Sequence, residues 1–342
     1  MSLQSFLRKA LIASVALVMT SILSTASQAK DKIVIGFSMP FQNNGWQKGV
    51  LDSATWAVEQ LNATGKNIEL QVLDAAGDAQ TQTQQINNLT LQGVDYIIFE
   101  PLSDTALNGA IDAAMDAGIG MTSFALGTVT NPRPVDLQFD YNKVTQMYVD
   151  YVAGRLGGKG SALNIRGLAG SEAEAHIQAA YMEALKKYPD IKIVAEVYGD
   201  WNQSTAQQRV AAILPTLPKI DMIFSQGVAA FGAAQAFLAA GLEVPLQVYG
   251  LDGVDLNMLR ELNEKTGYVS VAFNNDPGIG SVAVNVAVAH LSGVKVPQKL
   301  IGPTPYITID DLKTKYKDID DNTTVAGHYD YDWTLKNIIG AK

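Results

Sequence analysis

Polar and aromatic side chains recur directly after runs of apolar, β-branched residues. Asn44 and Trp46 follow the first such run, and Trp201, Gln226 and Asp252 follow three runs in the second half of the chain. Amides and carboxylates exchange hydrogen bonds with hydroxyl groups, and aromatic rings cover the apolar C–H face of a sugar. These residue types therefore predict a binding site for a neutral polyhydroxyl ligand.

Two further runs end in candidate ligand contacts. Phe124 ends the run 119–124, and Asn275 follows the run 268–273. We find no basic residue and no glycine-rich cradle at these run ends, which argues against a phosphate ligand. Taken alone, Asn44 and Asp252 are explained equally well as helix caps or turn residues. Trp46 and Trp201 are the stronger signals, because a large aromatic side chain in a polar loop has no core to fill.

Composition excludes several classes of partner and site. The 25 Lys and Arg against 34 Asp and Glu give a net charge of −9, which disfavours nucleic acid and anionic membrane surfaces. The chain has no cysteine and three histidines, so thiol catalysis, disulfides and Cys-ligated metals are excluded. We therefore expect no cofactor and no metal.

The N-terminus has the pattern of an export signal. Arg8 and Lys9 precede the uncharged apolar run 10–23, and the small residues of 27–29 end in a plausible cleavage site. The run is shorter than the roughly 20 residues that a transmembrane helix needs. We expect residues 1–29 to be removed and the mature chain to be periplasmic, although an uncleaved anchor is the alternative.

The elements that position these residues alternate along the chain. Helical stretches with an apolar face of period 3.6 separate most of the short apolar runs, as expected for parallel strands covered by helices. The runs lie at 32–37, 68–73, 94–99, 119–124, 162–165, 191–198, 221–224, 246–249 and 268–273. Nine strands overfill one sheet, and the proline-rich segment 128–140 interrupts the pattern. The sequence predicts an α/β fold of two lobes whose ligand lies at the carboxyl ends of the strands.

An enzyme is the competing class. The sequence contains no Gly-x-Ser-x-Gly, no His-Glu pair at metal spacing and no Gly-x-Gly-x-x-Gly. We therefore expect a binding protein rather than an enzyme.

Four segments together resemble the ribose-binding type of periplasmic solute-binding proteins, which deliver sugars to ABC importers. Residues 43–46 resemble the first ligand loop of that family, and 91–101 resembles its "G-V-D-x-I-I-x-x-P" segment. Residues 249–253 are similar to its "V-G-F-D-G" element, and 274–280 lie where the family has a ligand-binding hinge residue. The resemblance covers about residues 32–308.

The resemblance implies two Rossmann-like lobes with parallel sheets, joined by a three-crossing hinge. The N-terminal lobe would comprise 30–139 plus 276–305, and the C-terminal lobe 140–275 plus 306–342. Asp140 would lie at the first crossing, and Trp201 would cover one face of the ligand. The implied function is capture of a sugar or polyol by a monomer that delivers it to an ABC permease in the inner membrane. A sensor that presents its ligand to a membrane receptor is the alternative.

Departures from the family pattern concern the ligand. Phe124 stands where the ribose type has Asp-Arg, and no arginine follows Gly170 in the next helix. We therefore expect a ligand other than ribose, with Glu174 or His176 in a new role unless both are exposed helix residues. The extension after residue 310 carries Tyr329, Tyr331 and Trp333, and we expect these aromatics to pack on the C-terminal lobe.

Overall fold

The computed structural model describes residues 32–42, 44–125 and 127–341. The predicted signal peptide, residues 1–29, lies outside these ranges. Within them, no helix has both the length and the apolar character needed to cross a bilayer.

Eleven strands form in the described residues. They are β1 Ile33–Met39, β2 Ile68–Asp74, β3 Tyr96–Phe99, β4 Gly120–Phe124, β5 Val135–Gln138, β6 Lys159–Arg166, β7 Asp190–Tyr198, β8 Met222–Ser225, β9 Ala272–Phe273, β10 Lys299–Ile301 and β11 Tyr306–Ile307. A six-stranded sheet has the order β10-β5-β4-β3-β1-β2, and a three-stranded sheet has the order β7-β6-β8. All neighbours within these two sheets are parallel. β9 and β11 pair with each other antiparallel.

Helices follow most strands. They are α1 Gly45–Ala63, α2 Ala79–Gln92, α3 Asn108–Asp116, α4 Tyr141–Arg155, α5 Glu172–Leu185, α6 Gln203–Ile213, α7 Ala229–Ala239, α8 Gly253–Thr266, α9 Ile279–Leu291, α10 Ile309–Thr314 and α11 Tyr331–Thr334. A 3-10 turn at Leu214–Thr216 and a π turn at Leu335–Ile339 complete them. The alternation of parallel strands and helices confirms the predicted α/β fold class.

Helices α1 and α9 pack face to face on the six-stranded sheet. The apolar face of α1 is buried, from Val50 to Leu61. Helix α9 is buried around almost its whole circumference, which explains its nearly uniform apolar sequence. Gly280 makes this contact close, since a Cβ atom there would lie 2.1 Å from the backbone oxygen of Val50.

The buried clusters divide the chain into two lobes. We call the six-stranded sheet with α1, α2, α3 and α9 the first lobe, and the three-stranded sheet with α4 to α8 the second lobe. Apolar clusters of the first lobe lie on both faces of its sheet, and separate clusters fill the second lobe. The chain passes between the lobes after β5, after β9 and before β11. The exact boundaries given above remain a prediction.

Residues 320–341, which we call the C-terminal strap, pass between the lobes a fourth time. The Val325 amide donates to the Leu251 carbonyl in the second lobe at 2.8 Å. The Gly327 amide and the Tyr329 hydroxyl then donate to the two carboxylate oxygens of Asp276, at 2.9 and 2.5 Å. Beyond this point the strap packs on the first lobe, where Ile339 is buried in the core.

The expectation for the aromatics of the extension is therefore wrong. Tyr329, Tyr331 and Trp333 pack against the core of the first lobe, not the second. The physical reason is the position of Asp276, which lies just before α9 of the first lobe. Because Gly327 and Tyr329 both bond to Asp276, the strap is held against the first lobe from this point on. The earlier part of the extension does pack on the second lobe, through Leu312 and Ile319.

Candidate functional site

Two adjoining cavities lie between the lobes. The first has a volume of about 100 Å³ and the second about 50 Å³. Both are lined by Tyr141, Ile177, Gly227, Asn274 and Asn275, so they form one cleft. None of the described residues that line these two cavities carries a charged side chain.

Aromatic side chains form the walls of the cleft. Trp46 lies in the first turn of α1, where its indole Nε1 donates to the Asn275 carbonyl at 2.9 Å. The Phe139 ring meets the Trp46 ring edge-on at a centroid distance of 6.4 Å. Trp46 and Phe139 thus form a wall that is held by the hinge segment, and Trp201 lines the cleft from the second lobe.

Trp201 is held in place by two glycines. Its backbone is left-handed, with φ of 50°, which is an unusual conformation for a bulky residue. A Cβ atom on Gly167 would lie 2.3 Å from the indole Nε1, and one on Gly227 would lie 2.9 Å from Cδ1. The indole therefore lies directly on the backbone of these two loops, which fixes the ring as a rigid surface.

A buried glutamine and glutamate lie behind the first-lobe wall. Gln47 lines the cleft and its Nε2 donates to Glu100 Oε2 at 3.0 Å. Burial raises the pKa of Glu100 to about 8, and the hydrogen bond from Gln47 opposes this rise. Glu100 is therefore mostly protonated at neutral pH. The nearby Tyr141 hydroxyl donates to the Ala125 carbonyl at 2.7 Å, and burial raises the pKa of Tyr141.

A second glutamine and glutamate lie behind the second-lobe wall. Gln226 lines the cleft, and its Nε2 donates to Glu174 Oε1 at 3.2 Å. Arg166 Nε and Nη2 donate to the two oxygens of Glu174 at 2.8 and 3.0 Å. The expectation of no basic residue at the strand ends is therefore wrong, because Arg166 is the last residue of β6. Glu174 is buried beneath the cleft without lining either cavity, whereas His176 is exposed.

Asp252 lies beside the cleft. It lines an open groove of about 760 Å³ that Asn44 and Trp201 also line. Its carboxylate accepts hydrogen bonds from Thr324 Oγ1 at 2.6 Å and Gln203 Nε2 at 3.3 Å. Burial raises the pKa of Asp252, and these hydrogen bonds oppose the rise. The strap therefore occupies one oxygen of a carboxylate that the sequence predicts to bind ligand.

The two predicted asparagines line the cleft. Asn44 Oδ1 caps α1 by accepting from the Gln47 amide at 2.9 Å, so the residue both caps the helix and lines the cavity. Asn275 Oδ1 is buried and has no hydrogen-bond partner among the described residues. This oxygen is available to a ligand.

Two predicted contacts lie elsewhere. Phe124 is fully buried in the core, with its ring 5.6 Å from that of Phe37, and it lines neither cavity. The structure does not place Phe124 at the cleft, because its side chain packs in the core of the first lobe and the next residue, Ala125, lines the cleft instead. Asp140 is exposed and caps α4 by accepting from the Lys143 amide at 2.9 Å.

Sequence reasoning missed several lining residues. Tyr141 follows Asp140, and Gln47 follows Trp46, so the predicted positions were adjacent to both. Phe139 directly follows β5, which lies in the proline-rich segment 128–140 where no strand is predicted. Phe41 lies in the loop after β1 and also lines the cleft, whereas the prediction for this loop named only Asn44 and Trp46. Nothing in the sequence predicts Ile177 as a lining residue, because an apolar residue within a helical stretch indicates a core position.

A comparison with protein families finds a match to the periplasmic binding protein domain over residues 35–295. A xylitol-binding protein of Mycolicibacterium smegmatis is 28% identical over 254 residues, which cover 73% of this chain and 71% of the relative. A ribose import binding protein of Bacillus subtilis is 22% identical over 279 residues, covering 80% and 87%.

Solved structures show the same fold. An ABC transporter solute-binding protein of Thermobispora bispora superposes with a TM-score of 0.80 at 27% identity, covering 91% of this chain and 97% of that one. A periplasmic solute-binding protein of Actinobacillus succinogenes with bound D-allose has a TM-score of 0.71 at 21% identity, covering 82% and 99%.

Proposed function

The chain belongs to the periplasmic binding protein domain family, and from this membership we propose that its cleft captures a neutral sugar or polyol for delivery to an ABC permease. The protein is a substrate-binding component and not an enzyme, since its family and relatives are binding proteins. The relatives named as import binding proteins favour transport over the sensor alternative.

The chemistry of the cleft supports this ligand class. Aromatic faces from both lobes, those of Trp46 and Trp201, flank a cavity without a charged lining residue. Such faces cover C–H surfaces, and the amides of Asn275 and Gln226 exchange hydrogen bonds with hydroxyls. An anion would find no compensating charge here, and burying an uncompensated charge is costly. This uncharged aromatic cleft carries the proposal.

Ligand capture would close the lobes. Trp46 of the first lobe donates to the hinge residue Asn275, and Gln226 of the second lobe reaches the same cleft. A ligand bound to both lobes stabilises the closed arrangement by its differential affinity, and a permease can recognise that arrangement. We further propose that residues 1–29 direct export and are cleaved, and that the mature chain acts as a monomer in the periplasm.

Thermal unfolding with candidate ligands tests the proposal. The mature chain, residues 30–342, is heated with xylitol, D-ribose, D-allose, myo-inositol, an amino acid and a nucleoside. A ligand at 100 times its Kd stabilises the native state by roughly 2.7 kcal/mol. We expect a rise in Tm with at least one sugar or polyol and none with the amino acid or the nucleoside. A shift only with the amino acid or nucleoside would contradict the proposal.

A pair of tryptophan variants tests the position of the site. Trp46 and Trp56 lie on the same helix, but Trp56 stacks on His328 outside the cleft at a centroid distance of 4.7 Å. We expect Trp46→Ala to remove the ligand-induced rise in Tm. Trp56→Ala should lower the Tm of the free protein and keep the rise. Equal ligand responses of the two variants would refute the assigned site.

A further inference from the structure

Gln226 has an unusual environment for a side chain in a binding cleft. Its exposed fraction is 2%, and its Oε1 has no hydrogen-bond partner among the described residues. A buried acceptor left without a partner loses its hydrogen bond to water and gains none in return, which is a cost to the folded state. The residue lines the cleft, so a bound ligand is the partner that can remove this cost.

The orientation of the Gln226 amide is fixed from behind. Its Nε2 faces Glu174 Oε1 at 3.2 Å. Glu174 accepts two further hydrogen bonds from Arg166, one on each carboxylate oxygen, and this bidentate contact with a guanidinium holds the carboxylate in place. Turning the amide over would point Oε1 at a carboxylate oxygen, which repels it. The carbonyl oxygen of Gln226 therefore faces away from Glu174.

Arg166 is itself held on both sides. Its guanidinium lies 4.8 Å from the centroid of the Tyr198 ring and 3.7 Å from Glu196 Oε2. Arg166 is half-buried and Glu174 is buried. Neither lines the cavities, so neither is placed to touch the ligand.

We propose that Arg166, Glu174 and Gln226 act as one unit that sets the hydrogen-bonding polarity of the second-lobe side of the cleft. Gln226 presents its unpartnered carbonyl oxygen there as an acceptor, so the site selects a ligand hydroxyl that donates at this position. Arg166 and Glu174 are positioning residues, and Gln226 is the residue that touches the ligand. This inference rests on the proposed function and names the chemistry by which its site discriminates between ligands.

The test measures donor preference by isothermal titration calorimetry. The probe is whichever of xylitol, D-allose, D-arabinose and myo-inositol binds the intact protein. Each hydroxyl of that probe is replaced in turn by hydrogen and by fluorine, because fluorine removes the donor and keeps a weak acceptor. At one position, we expect both analogues to bind about tenfold more weakly than the parent, a loss that corresponds to about 1.4 kcal/mol for the missing hydrogen bond.

Variants then assign that preference to the three residues. Gln226→Met should weaken the parent about tenfold and leave the deoxy analogue unchanged, so that the ratio of their affinities approaches one. Glu174→Gln should bring the affinity ratio of parent to fluoro analogue to within about twofold of one. The Gln226 amide is then free to turn over, so it can offer its N–H groups to the ligand. Arg166→Lys keeps the charge without the bidentate contact and should give an intermediate ratio.

Glu183→Gln is the matched control, since Glu183 is an exposed glutamate on the same helix. Its affinity ratios should equal those of the unchanged protein. The inference is overturned if no position of the probe requires a donor, or if Gln226→Met leaves every ratio unchanged. If the variants bind the probe tightly and keep the affinity ratios of the protein without substitutions, this inference alone is overturned. If the protein without substitutions binds no sugar or polyol, the proposed function is overturned as well.

Discussion

Replacing the buried Glu100 by glutamine should change how protein stability depends on pH. Burial raises the pKa of Glu100 from its ordinary value of 4.5 to about 8 in the folded protein. Between these values the folded state holds a proton that the unfolded state has released. The contribution of this group to stability is therefore fully present below pH 4.5 and is lost as pH rises through about 8.

The size of the effect follows from that interval. It spans about 3.5 pH units, and each unit corresponds to about 1.36 kcal/mol, so the loss is on the order of 4 to 5 kcal/mol. Glu100→Gln keeps the shape of the protonated acid and can still bond to Gln47. We expect the variant to equal the unchanged protein near pH 5 within about 1 kcal/mol, and to be more stable by several kcal/mol at pH 9.

Urea unfolding at pH 5, 7, 8 and 9 measures this difference. Burial also raises the pKa of Asp252, Asp255 and Asp276, but these groups are present in both proteins and cancel in the comparison. Glu59→Gln, at an exposed position of α1, is the control and should show no pH-dependent difference. An equal free energy of unfolding for Glu100→Gln and the unchanged protein at all four pH values would refute the reasoning.

Two further changes test the packing of the first lobe. Gly280→Ala places a methyl group 2.1 Å from the Val50 carbonyl oxygen, and we expect calorimetry to show a loss on the order of 2 kcal/mol or more. The control Gly109→Ala, at an exposed position of α3 with nothing within 4 Å of the new Cβ, should stabilise by up to about 1 kcal/mol; a Gly280 variant as stable as this control would contradict the close helix contact. Tyr329→Phe removes the hydrogen bond to the buried Asp276 and should lower the free energy of unfolding in urea by about 1 to 3 kcal/mol. An unchanged unfolding curve would show that the strap is not held there.

The sequence pattern predicted the architecture because the signal is repeated along the chain. Short β-branched runs separated by amphipathic stretches specify parallel strands with covering helices wherever they occur. Weak elements were less predictable. β5 is four residues long and directly follows two prolines, and the run 246–249 contributes only isolated bridges to its neighbours.

The site was predictable only as far as chain position determines it. The position of Trp46 and Trp201 at the cleft was predictable because their loops follow strands, and strand ends meet at one edge of a sheet. That rule does not specify to which side of the sheet a side chain projects. For this reason the sequence predicts Phe124 at the cleft, although its side chain lies in the core of the first lobe. Arg166 and Glu174 are joined through a loop and a helix turn, and a spacing of eight residues has no motif that reveals such a pair.

The path of the C-terminal strap bears on the order in which the molecule can be assembled. One hydrophobic cluster contains Ile35 from the first strand and Ile339 from the last turn, together with α9 and β10. During synthesis β1 emerges long before α9, β10 and Ile339, so the core around β1 stays incomplete until these later segments have been made. This chain order delays the moment at which the core of the first lobe can be completed.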